Sequence, residues 1–148
     1  MLLIDDYSRM TWVAFLKEKY EGFDKFKAFK ALVENETDLK IKCIISDRGG
    51  NFISNEFEIF YELHGIRRHY SAARTANGVV ERKNQTIQDM ARTLLNDAKL
   101  SNMFWIEAIN IAVYILNRGQ IRVNNSKMPY QLWNVRLAII KYLKLFGS

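Results

Sequence analysis

Cysteine, proline and histidine are nearly missing from this 148-residue chain, which has one Cys, one Pro and two His. With Cys43 alone, neither a disulfide framework nor a cysteine zinc site can form. Its place inside the apolar run 41–46 predicts a small buried side chain. His64 and His69 are separated by Gly-Ile-Arg-Arg and have no cysteine partner, which argues against metal ligation by them. No apolar run reaches the length of a membrane span and no signal-peptide pattern opens the chain, so no membrane partner is expected. Internal repeats and low-complexity stretches are also lacking. No small-molecule cofactor is expected.

What the chain does have is a substantial apolar fraction and an excess of positive charge. At 148 residues and 49% hydrophobic content, it has the material for one domain with a real core. Lys and Arg number 22 against 16 Asp and Glu, a formal charge of +6, which favours polyanionic partners. The distribution sharpens this. Between His64 and Gln85 stand Arg67, Arg68, Arg74, Arg82 and Lys83 with a single acid, Glu81, a pattern suited to phosphodiesters around a metal-binding carboxylate.

Periodicity predicts an α/β layout. Residues 1–5 read as a strand, and residues 11–16, rich in β-branched and aromatic side chains, as its hairpin partner. Phe23, Phe26, Phe29 and Val33 recur at helical spacing over 20–36. Residues 41–46 read as a strand buried on both faces. Ser54 is placed to cap a helix ending at His64-Gly65, with Gly65 as a left-handed cap. A short strand over 66–70 and a loop over 71–78 follow. The next helix carries a core stripe of Ile87, Met90, Ala91, Leu94, Leu95 and Ala98, with Glu81, Asn84, Gln85, Gln88 and Arg92 on a separate polar face. A further helix over 103–117 carries Phe104, Trp105, Ala108, Ile109, Ala112, Ile115 and Leu116 on one side. A helical turn from Pro129 through Trp133 and an apolar stretch over 139–146 close the chain. Hairpin, helix, strand, helix, strand and helices make a mixed sheet covered by helices.

Two carboxylates carry the chemistry. Asp47 follows an apolar strand directly and precedes Gly49-Gly50, while Glu81 lies where a glycine-containing loop becomes a long helix, on its first turn. A strand-tip acid and a helix-start acid at the carboxyl edge of a sheet can share a divalent metal and serve phosphoryl transfer.

The ordered set Ile4-Asp5-Asp6-Tyr7-Ser8-Arg9, Thr11-Trp12-Val13, Ser46-Asp47-Arg48-Gly49-Gly50, His64-Gly65-Ile66, Asn77-Gly78-Val79-Val80-Glu81-Arg82-Lys83-Asn84, Phe104-Trp105, Tyr114-Ile115-Leu116-Asn117-Arg118 and Pro129-Tyr130 resembles the catalytic core of copia-type retrotransposon integrases. The resemblance runs over essentially the whole chain. It implies a ribonuclease-H-like α/β fold, a mixed sheet flanked by helices, and DNA integration by strand transfer. In that family two aspartates and a glutamate hold two Mg²⁺ (or Mn²⁺) ions roughly 4 Å apart. Asp47 matches the second aspartate and Glu81 the glutamate, as catalytic and metal-binding residues. Arg74, Arg82, Lys83 and Asn84 are the expected nucleic-acid contacts. DNA is the implied partner. A homo-oligomer formed through the helices carrying Trp105 and Tyr114 is a further expectation, and a functional integrase is expected in the nucleus. The domain expected is a partial integrase core over 1–148, with the core proper to about residue 120 and an extension over 121–148.

Departures from the family pattern qualify the activity. The leading aspartate belongs to a strand upstream of the one ending at Asp5, so an N-terminally truncated core lacking its first central strand is expected. Asp5 and Asp6 match the next strand and its turn, and read as structural acids. The interval between Asp47 and Glu81 is shorter than the family's, and the deficit falls in the loop over 71–78, where one alanine replaces a Pro-Gln-Gln-like triplet. Gln85 replaces a usual arginine and Asn51 a usual glutamate. A catalytically impaired copy is therefore expected. The alternative is a non-catalytic nucleic-acid-binding remnant of a retrotransposon polyprotein.

Overall fold

In the computed structural model the described residues are 1–46, 52, 54–70, 76–119 and 127–134. They form the order β1 (Leu2–Ile4), β2 (Thr11–Val13), α1 (Glu21–Thr37), β3 (Cys43–Ser46), α2 (Asn55–His64), β4 (Arg67–Tyr70), α3 (Ala76–Asp97), α4 (Trp105–Gly119) and α5 (Pro129–Asn134), with a 3₁₀ turn over Asn102–Phe104 leading into α4. The strands pair as two separate ribbons. β1 and β2 are antiparallel, with Leu2 opposite Val13 and Ile4 opposite Thr11; β3 and β4 are parallel, with Cys43 opposite Arg67 and Ser46 opposite Tyr70. The mixed strand directions and covering helices are those expected. The chain divides into two compact units.

The first unit holds Met1 and residues 14–81. Its core is aromatic: Phe26 of α1 and Phe57 and Tyr61 of α2 are buried with Ile66, and Phe23, Phe29, Ile41, Ile44, Phe52 and Phe60 pack around them. Phe23 meets Phe57 edge-on at 5.0 Å and Phe60 at 5.5 Å. Such contacts each add about 0.5–1.5 kcal/mol to the area they bury. α1 ends at Asp38 in a left-handed conformation, and Glu34 clamps this end by accepting from Lys30 Nζ and from the Ile41 N–H, both at 2.8 Å.

α2 ends as the sequence predicts. Gly65 takes φ 64°, and the Ile66 N–H donates back to the Tyr61 carbonyl at 2.9 Å, so the turn feeds directly into β4. At the other end Ser54 occupies the capping position, but its hydroxyl makes no capping hydrogen bond.

β3 departs from expectation. Cys43 is exposed and Ile45 is 51% exposed, whereas Ile44 faces the aromatic core. Side chains alternate along a strand. Among the described residues β3 pairs only with β4, and no described element covers the face carrying Cys43 and Ile45. The continuous apolar run therefore reads as burial on both faces while only one is covered.

The second unit holds residues 2–13 and 82–148. Ile87, Ala91 and Leu95 of α3 interlock with Ala108, Ile109, Ala112, Val113 and Leu116 of α4, and Leu2, Val13, Met90, Leu94 and Trp105 complete the cluster. The small residues Ala91, Ala108 and Ala112, each 0% exposed, lie fully inside this cluster. α5 starts at the only proline, at the helix position where a missing N–H costs nothing. It is held by Trp133 against Trp12 at 4.7 Å and by Arg118, whose guanidinium stacks on both Tyr114 (3.8 Å) and Tyr130 (4.3 Å). The predicted apolar stretch over 139–146 lies outside the described residues.

Candidate metal and nucleic-acid site

α3 begins at Ala76, two residues before Gly78, so residues 76–78 of the predicted loop are helical and Glu81 sits in the second turn of the helix instead of its first. Gly78 lowers helix propensity locally, but the long apolar stripe from Ile87 onward carries the helix back through it. Glu81, Arg82, Lys83 and Asn84 follow one another on this segment. Glu81, Arg82 and Asn84 are exposed and Lys83 is half-buried. Further along the polar face, Gln85 donates to Asp89 at 2.9 Å and Arg92 pairs with the same carboxylate at 2.7 Å. Gln85, Asp89 and Arg92 thus brace this face against one another.

Asp47 and Arg74 lie outside the described residues. β3 spans Cys43–Ser46, the last described residues before Asp47. Of the predicted site residues the structure therefore places four, in one continuous stretch.

Lys83 has an ammonium group held below the usual lysine range, first by its partial burial and then by the positive charge of Arg9. Arg9 stands on the turn between β1 and β2 with φ 61°, an uncommon conformation for a side-chain-bearing residue. Its guanidinium pairs with Asp6 at 2.9 Å. Sequence reasoning did not select Arg9. The signal was available only in its coupling to Lys83, which no spacing rule reveals.

Asp5 and Asp6 are committed to this turn. Asp5 Oδ2 accepts from the Ser8 N–H at 2.7 Å and from the Ser8 hydroxyl at 2.6 Å, while Asp6 holds Arg9. The basic stretch over 64–85 also proves heterogeneous. Arg67 is exposed, but Arg68 is nearly buried, its side chain 11% exposed. Among the described residues no three His, Cys, Asp or Glu side chains gather as a metal-binding group. The exposed carboxylate of Glu81 offers the hard oxygen donor that Mg²⁺ prefers, so it fits that ion in kind.

No family model matches the chain. It is 42% identical over 146 residues to the retrovirus-related Pol polyprotein from transposon TNT 1-94 of Nicotiana tabacum, covering 97% of this chain and 11% of that polyprotein. The chain is homologous to the Pol polyproteins of copia-type retrotransposons. The corresponding polyprotein from transposon RE2 of Arabidopsis thaliana is 34% identical over 149 residues, 99% of this chain and 10% of the relative. The chain thus spans about a tenth of the length of the curated relatives it matches.

Among solved structures, the HTLV-2 integrase catalytic core domain in complex with magnesium aligns at TM-score 0.66 and 25% identity, over 88% of this chain and 80% of that one. This match is to its trimeric form; the dimeric form aligns at 0.68. A simian T-cell lymphotropic virus intasome aligns at 0.73 with 21% identity, over 97% of this chain and 51% of that chain, a likeness of fold. The fold is that of an integrase catalytic core, ribonuclease-H-like, here with its strands in two short ribbons.

Proposed function

We propose that this integrase-core segment engages DNA through the start of α3. Arg82, Lys83 and Asn84, with Arg74 upstream, serve the phosphate backbone, and Asp47 and Glu81 act as carboxylate ligands for a divalent metal. The observation that carries the reading is the sequence Glu81–Asn84 near the start of α3, with Glu81, Arg82 and Asn84 exposed and Lys83 half-buried, within a chain homologous to copia-type Pol polyproteins over nearly its whole length.

Bound Mg²⁺ or Mn²⁺ would supply Lewis-acid activation of the attacking and leaving oxygens in strand transfer. The residues do the rest. Glu81 projects a hard donor from a rigid helix, and the neighbouring cations hold the phosphodiester by charge. The family's activity is DNA integration. The shorter interval between Asp47 and Glu81 would misplace the glutamate, and Gln85 in place of a usual arginine would remove a phosphate contact, so we expect impaired strand joining. Incubation of the purified chain with Mn²⁺ and viral-end-like duplexes checks this. Joining that disappears in Asp47→Ala would refute the impairment.

A second reading is self-association. Met103 and Phe104 of the 3₁₀ turn and Ile106 of α4 are 78%, 39% and 49% exposed, an apolar edge beside Trp105. Multi-angle light scattering tests it: a homo-oligomer is expected, and a strict monomer at high concentration removes the reading.

A further inference from the structure

Arg68 is a charged group whose hydrogen-bonding capacity its surroundings do not meet. It lies on β4 opposite Ile44 of β3, one register pair from the strands' last two. Its Nη2 donates to Ser46 Oγ at 3.5 Å, the long limit of a hydrogen bond. Its guanidinium lies 4.7 Å from the centre of the Tyr70 ring. The Glu58 carboxylate approaches Nη1 only to 4.0 Å, beyond hydrogen-bond reach, and is itself 56% exposed. Nε and Nη1 are buried and have no hydrogen-bond partner among the described residues. The hydroxyl of Tyr61, near enough for the Arg68 charge to act on it, is in the same condition, on a residue 4% exposed.

A guanidinium cannot relieve this by releasing its proton. A neutral core residue could be tolerated here, whereas a permanent buried charge with unmet donors is costly until an acceptor arrives. Glu58 is too exposed and too distant to serve fully. The shortfall is entirely of acceptors: guanidinium N–H groups and a phenol are donors to an anion, and the Ser46 hydroxyl can turn to donate as well. Ser46 and Tyr70, which the guanidinium reaches, are the last register pair of the two parallel strands, at the carboxyl edge where open α/β sheets receive ligands. Arg67, exposed on the same strand, adds to the positive potential.

We propose that Arg68, with Tyr61 and Ser46 beside it, forms a recognition site for a tetrahedral phosphate-type oxyanion, which displaces the loosely held Glu58. The planar, multidentate guanidinium matches that geometry, as a lysine would not. One-tenth of the Arg68 side chain still reaches solvent, so entry calls for side-chain rearrangement without unfolding. The site uses none of Asp47, Glu81, Arg82, Lys83 or Asn84. Its failure would leave the integrase reading intact, and the reverse also holds.

The test is a titration of the 148-residue chain with inorganic phosphate at constant ionic strength, against chloride, read by thermal unfolding and calorimetry. A parallel arm uses a short phosphodiester oligonucleotide. A saturable rise in Tm specific to phosphate is expected in the natural chain. Glu58→Gln, which removes the competing carboxylate, should bind phosphate several-fold more tightly. Arg68→Met should lose the response while being at least as stable in chloride. Arg68→Lys keeps the charge without the planar fork, provides a second variant should the methionine variant not fold, and should weaken binding on the order of tenfold. Tighter binding of either free phosphate or the oligonucleotide supports the site and identifies its source. An unchanged response in Arg68→Met and Arg68→Lys would overturn the proposal. So would a response in the natural chain no larger than that to chloride, the result expected of donors already met by water.

Discussion

Thr11 and Asn117, separated by 106 residues, hold each other through two hydrogen bonds. The Thr11 N–H donates to Asn117 Oδ1 at 3.0 Å, and Asn117 Nδ2 donates to the Thr11 carbonyl at 2.8 Å. Both residues are buried, at 1% and 4% exposure. The amide side chain of α4 thus pairs with the backbone of β2 as a neighbouring strand would, satisfying groups that could not otherwise be buried. Asn117→Ala should cost about 2–4 kcal/mol, since it leaves a buried donor and a buried acceptor unmet. Urea denaturation measures it. A loss under about 0.5 kcal/mol would mean that water replaces the amide at little cost.

Glu34 makes the C-terminal end of α1 pH-dependent. The Lys30 hydrogen bond, together with that from the Ile41 N–H, holds its carboxyl below the usual glutamate range against the opposing effect of burial. A carboxylate whose folded value is depressed contributes stability above its unfolded value, near 4.3, and loses it as pH falls through the folded value. Glu34→Gln should therefore cost on the order of 1 kcal/mol at pH 7. The gap between variant and parent should close as the solution is acidified below about pH 4. Parallel denaturation curves across pH 3–7 give the comparison, and a gap constant with pH would exclude the ionised form as its source.

Lys83 has the opposite sign. Partial burial and Arg9 lower its folded value, so its charged form is penalised in the folded state at neutral pH. That penalty lifts as pH rises through the folded value towards the ordinary lysine value near 10.4. The stability of the natural chain relative to Lys83→Met should rise over that alkaline interval. A difference independent of pH between 7 and 10.5 would show that burial and Arg9 do not act on this charge.

Gly65 isolates a backbone effect. At φ 64° it has open space where a Cβ would stand, so Gly65→Ala introduces conformational strain without a clash. The expected loss is about 1 kcal/mol. A neutral result by denaturation would mean that the α2–β4 connection relaxes to another cap.

The sequence made the helices and strand directions legible because their signals are local. The Ile87–Leu95 stripe, the Phe23–Val33 spacing and the Gly65 cap each depend on residues within one or two turns. Features set by distant partners were harder to read. Asn117 looked like an ordinary polar residue at the end of an apolar helix until Thr11 was placed against it. Cys43 and Ile45 looked buried because an apolar run does not say how many of its faces are covered. At the candidate site, Glu81 to Asn84 were found from the motif, but their helix starts earlier than the glycine suggested. Arg9 and Arg68 acquire their interest only from charges and acceptors brought near, or kept away, by the fold.

The most direct test of the nucleic-acid reading is the salt dependence of DNA affinity, measured by fluorescence anisotropy on a short duplex for the natural chain and for Arg82→Gln/Lys83→Gln. Each phosphate contact contributes about 0.9 to the slope of log affinity against log salt. The account predicts steep, sequence-independent salt sensitivity in the natural chain and a slope shallower by about 2 in the double variant. Binding that is indifferent to salt, or an unchanged slope in the variant, would contradict it.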